Sequence, residues 1–486
     1  MRTDGLVLVT GANGYIGGCL VPRLLDQGYR VRCLTRNPAE LENRSWYSQV
    51  EILQGDIITS ETVDKALEGI AASYYLVHNM TSGNKYPEQD FIAATNFGSA
   101  AGKAGVEHII YLGGLADPET DISRHMRSRL QTGDRLRQGG VPVTEFRASM
   151  IIGAGSISFE MIRFLTEQLP IIIGPRWFHN YAQPIAVENV LDYLLAALET
   201  EGCQNQVFEI GGKDLITYAD AILIYARMRG LRRGLVVFPM TPLNLLAFGV
   251  AKLTPVPANI ARPLIDGMRS HSIVKNAAAS RVFPQIQPID YRMAISTALS
   301  KLAPAYLEPV WEKYADSVKI IKHAGFLIDS QRVCVNTSPE VVYRVLTGIG
   351  SHSGWLYLNS LWQLRGLLDR LLGGPGMRGR LEGELSVGSV VDFYRVDALD
   401  PSRLFRLRAE VKAPGAGWME WRVKSQSGSN TILTQTAYFA PKGVAGFLYW
   451  YTLYPLHRFV FAGLIRRIAR RAMQYQKQEL AEKTIR

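Results

Sequence analysis

Over the first 230 residues, short runs of consecutive apolar residues alternate with helical stretches. The pattern predicts strands at Leu6–Thr10, Arg30–Leu34, Val50–Gly55, Ser73–His78, His108–Gly113, Pro142–Arg147 and Gln206–Ile210. Helices are predicted between them at Tyr15–Gln27, Glu61–Gly69, Asp90–Ala104 and Ser128–Gln138. An all-apolar run such as Leu6-Val7-Leu8-Val9 suits a strand covered on both faces. The alternation therefore predicts an α/β fold, a doubly wound parallel sheet spanning residues 1–302. Within it, residues 231–302 lose the alternation and gain proline, as in Thr254-Pro-Val-Pro-Ala258, and are read as a mostly helical cap. Residues 303–322 are read as a linker.

From residue 323 to 486 the pattern changes. A strand over Phe326–Val335 leads to a helix at Pro339–Leu346 and an aromatic-rich helical stretch at Trp355–Leu372. Four strand-like runs follow, Ser389–Asp397, Arg403–Lys412, Trp418–Lys424 and Thr431–Phe439, and then a long helix from about Val444. This order predicts an α+β domain whose curved sheet wraps the last helix.

Composition narrows the class. A chain of 486 residues is too long for one core, and 47% apolar with 20% charged residues excludes both a disordered chain and a many-span membrane protein. The net charge is +11, and residues 441–486 carry nine basic side chains against Glu479 and Glu482. An acidic partner is thus a question about the carboxyl terminus. The cysteines Cys19, Cys33, Cys203 and Cys334 are scattered, so neither a disulfide framework nor a metal site is expected. The amino terminus runs almost directly into Leu6–Val9 without a leader-like segment, which sets the expectation of a cytoplasmic protein.

The chemistry begins at Thr10-Gly11-Ala12-Asn13-Gly14-Tyr15-Ile16-Gly17, between a predicted strand and a predicted helix. Glycines at 11, 14 and 17 give a tight strand exit, close backbone approach to a diphosphate, and close helix–strand packing. The helix start adds free N–H groups and a positive dipole end. Gly11, Asn13, Gly14, Tyr15, Ile16 and Gly17 are accordingly expected to hold a dinucleotide. An NAD site usually places an acid at the end of the second strand, but Arg32-Cys-Leu-Thr-Arg36-Asn-Pro38 has none. Arg36 would pair with a 2′-phosphate, so NADP(H) is expected ahead of NAD(H).

With these residues the chain resembles the atypical short-chain dehydrogenase/reductases, the NmrA-like group. The resemblance covers about residues 5–300 and also rests on Gly55-Asp56-Ile57, Ala104–Tyr111, Gly140–Arg147, Gln183–Asn189 and Glu209–Thr217. It implies that Asp56 and Ile57 border the adenine, that His78 and Asn79 lie along the cofactor, and that Ala148 and Ser149 lie near the nicotinamide. Active members carry a Tyr-x-x-x-Lys pair; the corresponding positions here are His125 and Arg129. Leu112-Gly113-Gly114 stands where the family's Ser or Thr would end a strand. Arginine can still hold a ribose, and histidine can act as a general acid near neutral pH. Two expectations follow: an oxidoreductase acting on a hydrophobic carbonyl or enone with His125 as proton donor, or a non-catalytic, NADP(H)-responsive binding protein.

The remaining third resembles the START-like, helix-grip (SRPBCC) fold, largely through Gln435–Gly443 before the last helix. The combination is similar to a bacterial family in which such a domain of unknown function follows an NAD(P)-binding one, and it implies an apolar ligand between sheet and helix. Val444–Ile465 is apolar and aromatic, yet Pro455, His457 and Arg458 interrupt it. A helix packed into its own sheet is ranked first, and a peripheral membrane contact through its basic residues second. Nucleic-acid binding has no supporting motif. The expected partner is a small hydrophobic molecule.

Overall fold

The computed structural model describes residues 5–42, 44–78, 86–117, 119, 121–238, 242–302, 304, 321–323, 325–350, 354–380, 383–426 and 430–485. The chain divides into two compact units, Met1–Pro309 and Val310–Arg486.

The first unit begins β1 (Leu6–Thr10), α1 (Tyr15–Asp26), β2 (Arg30–Thr35), β3 (Glu51–Gln54), α2 (Ser60–Leu67) and β4 (Ile70–Tyr75). It continues with α3 (Tyr86–Ala104), β5 (His108–Gly114), α4 (Arg124–Arg137), β6 (Val143–Ala148) and β7 (Ile151–Ile152). Next come α5 (Ile157–Gln168), β8 (Ile171–Pro175), β9 (Tyr181–Ala182), β10 (Ile185–Ala186), α6 (Val187–Glu199), β11 (Val207–Ile210), β12 (Ile216–Thr217) and α7 (Tyr218–Met228). Seven strands form one sheet in the order β11-β6-β5-β4-β1-β2-β3, parallel throughout.

Alternation along each strand explains why both faces are covered. Val7 and Val9 pack with Leu20, Leu24, Leu191 and Leu194 in one core cluster, whereas Leu6 and Leu8 pack with Ala66, Ala94 and Phe97 in another. The chain leaves β1 in one direction to β2 and in the other to β4, so the crevice at the carboxyl ends of β1 and β4 is the topological switch point. Thr10 pins this crevice: its hydroxyl donates to Tyr74 O at 3.0 Å and accepts from Leu76 N at 3.2 Å. Strand β4 starts three residues earlier than the pattern predicts, because Gly69, at φ +69°, turns the chain into it directly.

The cap carries one strand besides its helices. It opens with β13 (Gly234–Phe238), which pairs in parallel with β8, and only then continues with α8 (Leu243–Leu253), α9 (Ala258–Gly267), α10 (Ala278–Val282) and α11 (Tyr291–Ser300). Gly-Leu-Val-Val-Phe has no polar alternation, and its partner lies some 60 residues upstream, so a local pattern does not reveal it. Most of the predicted linker lies outside the described residues.

The second unit contains β14 (Ile321–His323), β15 (Phe326–Val335), α12 (Pro339–Thr347), α13 (Asn359–Leu371), β16 (Val390–Val391) and β17 (Tyr394–Asp400). It ends with β18 (Leu404–Ala409), β19 (Gly415–Ser425), β20 (Thr431–Pro441) and α14 (Gly443–Ile485). Its sheet, β14-β15-β20-β19-β18-β17-β16, is antiparallel throughout. The run predicted as one strand over Ser389–Asp397 is broken at Asp392, whose φ of +54° cannot continue a strand. The helical stretch predicted from Trp355 begins only at Asn359, after positive φ at Leu356 and Leu358. Trp355 is instead fully buried, stacked 4.2 Å from Trp362.

Helix α14 lies against the sheet. Phe447, Trp450, Phe461, Leu464 and Ile468 are buried, Trp450 stacks on Phe439 of β20, and Gln435 donates to Phe461 O at 3.0 Å. Arg458, mid-helix, is neutralised by Asp329 of β15 at 2.9 Å. Among the described residues no helix is long and apolar enough to cross a membrane.

Candidate functional site

The turn after β1 has the shape its glycines predict. Gly11 sits at φ +74°, where a Cβ would come within 2.9 Å of Leu76 O, and a Cβ on Gly17 would collide with the Gly11 carbonyl. Only glycine lets α1 start this close to the strand. Gly14 N donates to Gly11 O, and the first helical bond runs from Gly18 N to Gly14 O, both at 2.9 Å. The N–H groups of Tyr15, Ile16 and Gly17 therefore precede the intrahelical ladder and form, with the helix dipole, a seat for an anion.

Arg36, one residue past β2, is exposed, and its guanidinium makes no ion pair with a described residue. An acid that the strand-end pattern did not reveal also lies beside the turn. Glu40 accepts from Asn13 Nδ2 at 3.0 Å and from Asn37 Nδ2 at 3.5 Å. Asp56 follows β3 and caps its own turn through Ile58 N at 3.1 Å, while Ile57 is buried in the core on the α2–α3 side. Asn79 lies outside the described residues.

Next to this turn lies an apolar cavity of about 510 Å³. Tyr15 and Ile16 from the first turn of α1 line it, with Leu76 after β4, Leu112–Leu115 at the end of β5, and Ala148 and Ser149 at the end of β6. Its far walls come from α5, β8, α8 and α9, through residues such as Met161, Ile172, Leu246 and Ile265. The Ser149 hydroxyl is already engaged, donating to Ser272 O at 3.0 Å and accepting from Gln183 N at 3.2 Å. Burial holds the Tyr15 phenol far above the ordinary tyrosine range, with Cys19, Glu188 and Glu160 adding to the effect.

His125 and His78 both line this cavity, and they touch. His78 Nε2 lies 3.1 Å from His125 Nδ1, and His78 Nδ1 lies 2.8 Å from Asp90 Oδ2. Ser128 donates to the same carboxylate oxygen at 3.2 Å. The Ser123 side chain caps α4 by accepting from Met126 N, which brings His125, Ser128 and Arg129 onto the inward side of the first turns of that helix. Arg129 donates to Leu112 O and stands 5.5 Å from the Tyr111 ring, whose hydroxyl donates back to Arg129 O at 2.8 Å.

Electrostatics fixes the state of this chain. Burial pushes His125 down to about 3, reinforced by His78 and Arg129. Burial, then Arg129, also lowers His78, against the opposing pull of Asp90. Both shifts favour the neutral rings at pH 7, so a proton that His125 gives to a substrate must reach it through its partners. An ionised Asp90 only accepts, so His78 must donate from Nδ1 and accept at Nε2. His125 then donates from Nδ1 and keeps a lone pair on Nε2. The sequence pattern singled out His125, Arg129 and His78 but not Asp90 or Ser128, and no local motif marks those two.

Residues 11–133 match the family described as NAD(P)H-binding, and residues 323–464 match a family described as a protein of unknown function (DUF2867). The chain is 27% identical over 299 residues to (4-alkanoyl-5-oxo-2,5-dihydrofuran-3-yl)methyl phosphate reductase of Streptomyces griseus, covering 60% of this chain and 94% of that protein. It is 24% identical over 246 residues to photosystem II assembly factor Ycf39 of Trieres chinensis, covering 50% and 74%. Among solved structures, Citrobacter sp. triphenylmethane reductase complexed with NADP(H) aligns at 20% identity with a TM-score of 0.48, covering 60% of this chain and 99% of that one.

Proposed function

We propose that this chain, whose amino-terminal unit is an NAD(P)-binding Rossmann domain of the atypical short-chain dehydrogenase/reductase type, is an NADP(H)-dependent reductase of a hydrophobic carbonyl or enone compound. One observation carries the reading: the anion seat and the apolar cavity share the first turn of α1, because Tyr15 and Ile16 belong to both. With a diphosphate on the N–H groups of α1, the residues available to hold the rest of a coenzyme would be those at the ends of β4, β5 and β6, such as Leu76, Leu112 and Ala148. These residues also line the cavity. Its size suits a small organic molecule, and its walls are apolar. The similar Streptomyces griseus protein is by its name a reductase of an alkanoyl-bearing compound, which agrees with such a substrate.

A bound nicotinamide coenzyme would supply the hydride, and residues 11, 13–17, 36 and 148–149 are the ones that would hold it. The protein's own part is the proton. We assign His125 as the group facing the substrate oxygen, with His78 and Asp90 as positioning residues behind it. Loading one proton turns His78 into an imidazolium held by Asp90 and leaves His125 donating from Nε2. As negative charge develops on the substrate oxygen, the Nε2 proton moves to it and the His78 proton shifts to His125 Nδ1. The neutral relay is restored.

The sign of the pH dependence follows. Both pKa values are lowered, so the loaded form becomes more populated as pH falls, down through and beyond the ordinary histidine value of about 6.5. We expect the reduction rate to keep rising below that value, and the reverse oxidation to be flat above it. Steady-state pH profiles in both directions check this; a plateau at an ordinary histidine pKa contradicts it.

For the coenzyme, Arg36 offers a cation with no competing ion pair among the described residues, while two amides hold Glu40. Arg36→Asp is expected to weaken NADPH roughly ten- to a hundredfold with little effect on NADH, read by fluorescence titration. Equal weakening of both would remove the NADP(H) assignment.

The second unit fits the reading as a helix-grip fold. Its buried Trp450 Nε1 and His457 Nδ1 have no hydrogen-bond partner among the described residues, which suits an apolar ligand with a polar head.

A further inference from the structure

We infer that the cap of the amino-terminal unit docks on an anionic lipid surface, from which a hydrophobic substrate enters the cavity. The entry route rests on the proposed reading of that cavity as the substrate site; the docking surface does not.

The two-stranded β8–β13 ribbon buries one face and leaves the other in the open. Ile172 is 1% exposed and Leu235 packs on the core. On the outer face, Ile171, Ile173 and Val236 are 58%, 53% and 43% exposed, with Val236 directly opposite Ile173. An outward ribbon face is ordinarily polar. Helix α8 adds Leu245 and Phe248, each more than half exposed. Ile173 and Leu245 also line the cavity, so the rim of the cavity is part of the apolar surface. A substrate reaching it from a bilayer would never cross water.

Charge selects the occupant. From Ala221 to Ile265 there is no Asp or Glu, but there are six basic residues. Three cations adjoin the apolar surface. Arg176 follows β8, Arg232 lies just before β13, and Lys252 Nζ sits 5.5 Å from the Phe248 ring; all three residues are exposed. Apolar side chains among cations are what an interfacial surface presents to acyl chains beneath anionic headgroups.

The test is flotation of the full chain with vesicles of equimolar phosphatidylcholine and phosphatidylglycerol, and with phosphatidylcholine alone. We expect co-flotation with the anionic vesicles and much weaker binding to the neutral ones. The triple variant Ile171→Thr, Val236→Thr, Phe248→Gln should lower the partition coefficient roughly tenfold or more while leaving NADPH affinity unchanged, which shows that it folds. Retained vesicle binding in that variant, or a loss that appears instead with Leu367→Gln, Leu371→Gln on α13, overturns the proposal. So does concentration-dependent self-association through this face without vesicle binding. Flotation that depends on the cap in a protein that turns over no carbonyl would sink the reductase reading and leave the docking surface standing.

Discussion

Gly14→Asp is expected to abolish NADPH binding without unfolding the protein. Gly14 is the N-cap of α1, in an extended conformation at φ −78°, ψ 171°, with no side-chain cap of its own. A Cβ there meets only Gly11 O, at 3.1 Å, so the side chain fits with a small adjustment. Aspartate is among the preferred N-cap residues and should hold the helix start at least as well as glycine does. Its carboxylate would sit where the diphosphate is to sit. Two like charges about 4 Å apart at a partly buried site repel by roughly 4 kcal/mol, which predicts an affinity loss of roughly a hundredfold or more. Fluorescence titration and thermal unfolding separate the two effects: binding lost, melting temperature kept. Unaltered NADPH affinity in a folded Gly14→Asp protein would mean that the coenzyme does not lie on this helix.

The second large effect concerns the relay. His125→Ala removes the group assigned to the substrate oxygen and should lower kcat by roughly 10²–10⁴, with NADPH affinity preserved. Added imidazole should restore part of the rate, which a purely structural role would not permit. Asp90→Asn tests the positioning role separately. An asparagine can turn an N–H toward His78 Nδ1, favouring the opposite tautomer and removing the carboxylate that stabilises the loaded form. We expect a fall in kcat and a shift of the pH profile to still lower pH, with the substrate KM little changed. Wild-type kinetics in both variants, on whichever apolar carbonyl the protein reduces, would exclude the relay from the chemistry.

How much of this was legible in the sequence depends on the range of each signal. The sheet was legible because its strands are covered on both faces, so Leu6–Thr10 reads as a strand without reference to anything else. The phosphate turn was legible for the same reason: strand, glycines and helix are contiguous. Partners distant in sequence were not. Asp90 meets His78 and Ser128 across separations of 12 and 38 residues, and His78 meets His125 across 47. Glu40 escaped because it reaches the glycine turn through Asn13, 27 residues away, rather than from the strand end itself. The state of His125 was equally hidden. Its identity suggests a neutral-pH acid, but its burial, which only the fold supplies, makes it a neutral ring that needs His78 and Asp90 behind it.

The reductase reading, the relay and the entry route all require that this unit bind a nicotinamide dinucleotide on the first turn of α1. Titration of the purified full chain with NADPH, followed by the change in coenzyme fluorescence, tests this most directly. Saturable one-to-one binding that Gly14→Asp eliminates is the predicted result. No saturable binding of either NADPH or NADH by the folded wild-type protein would contradict it.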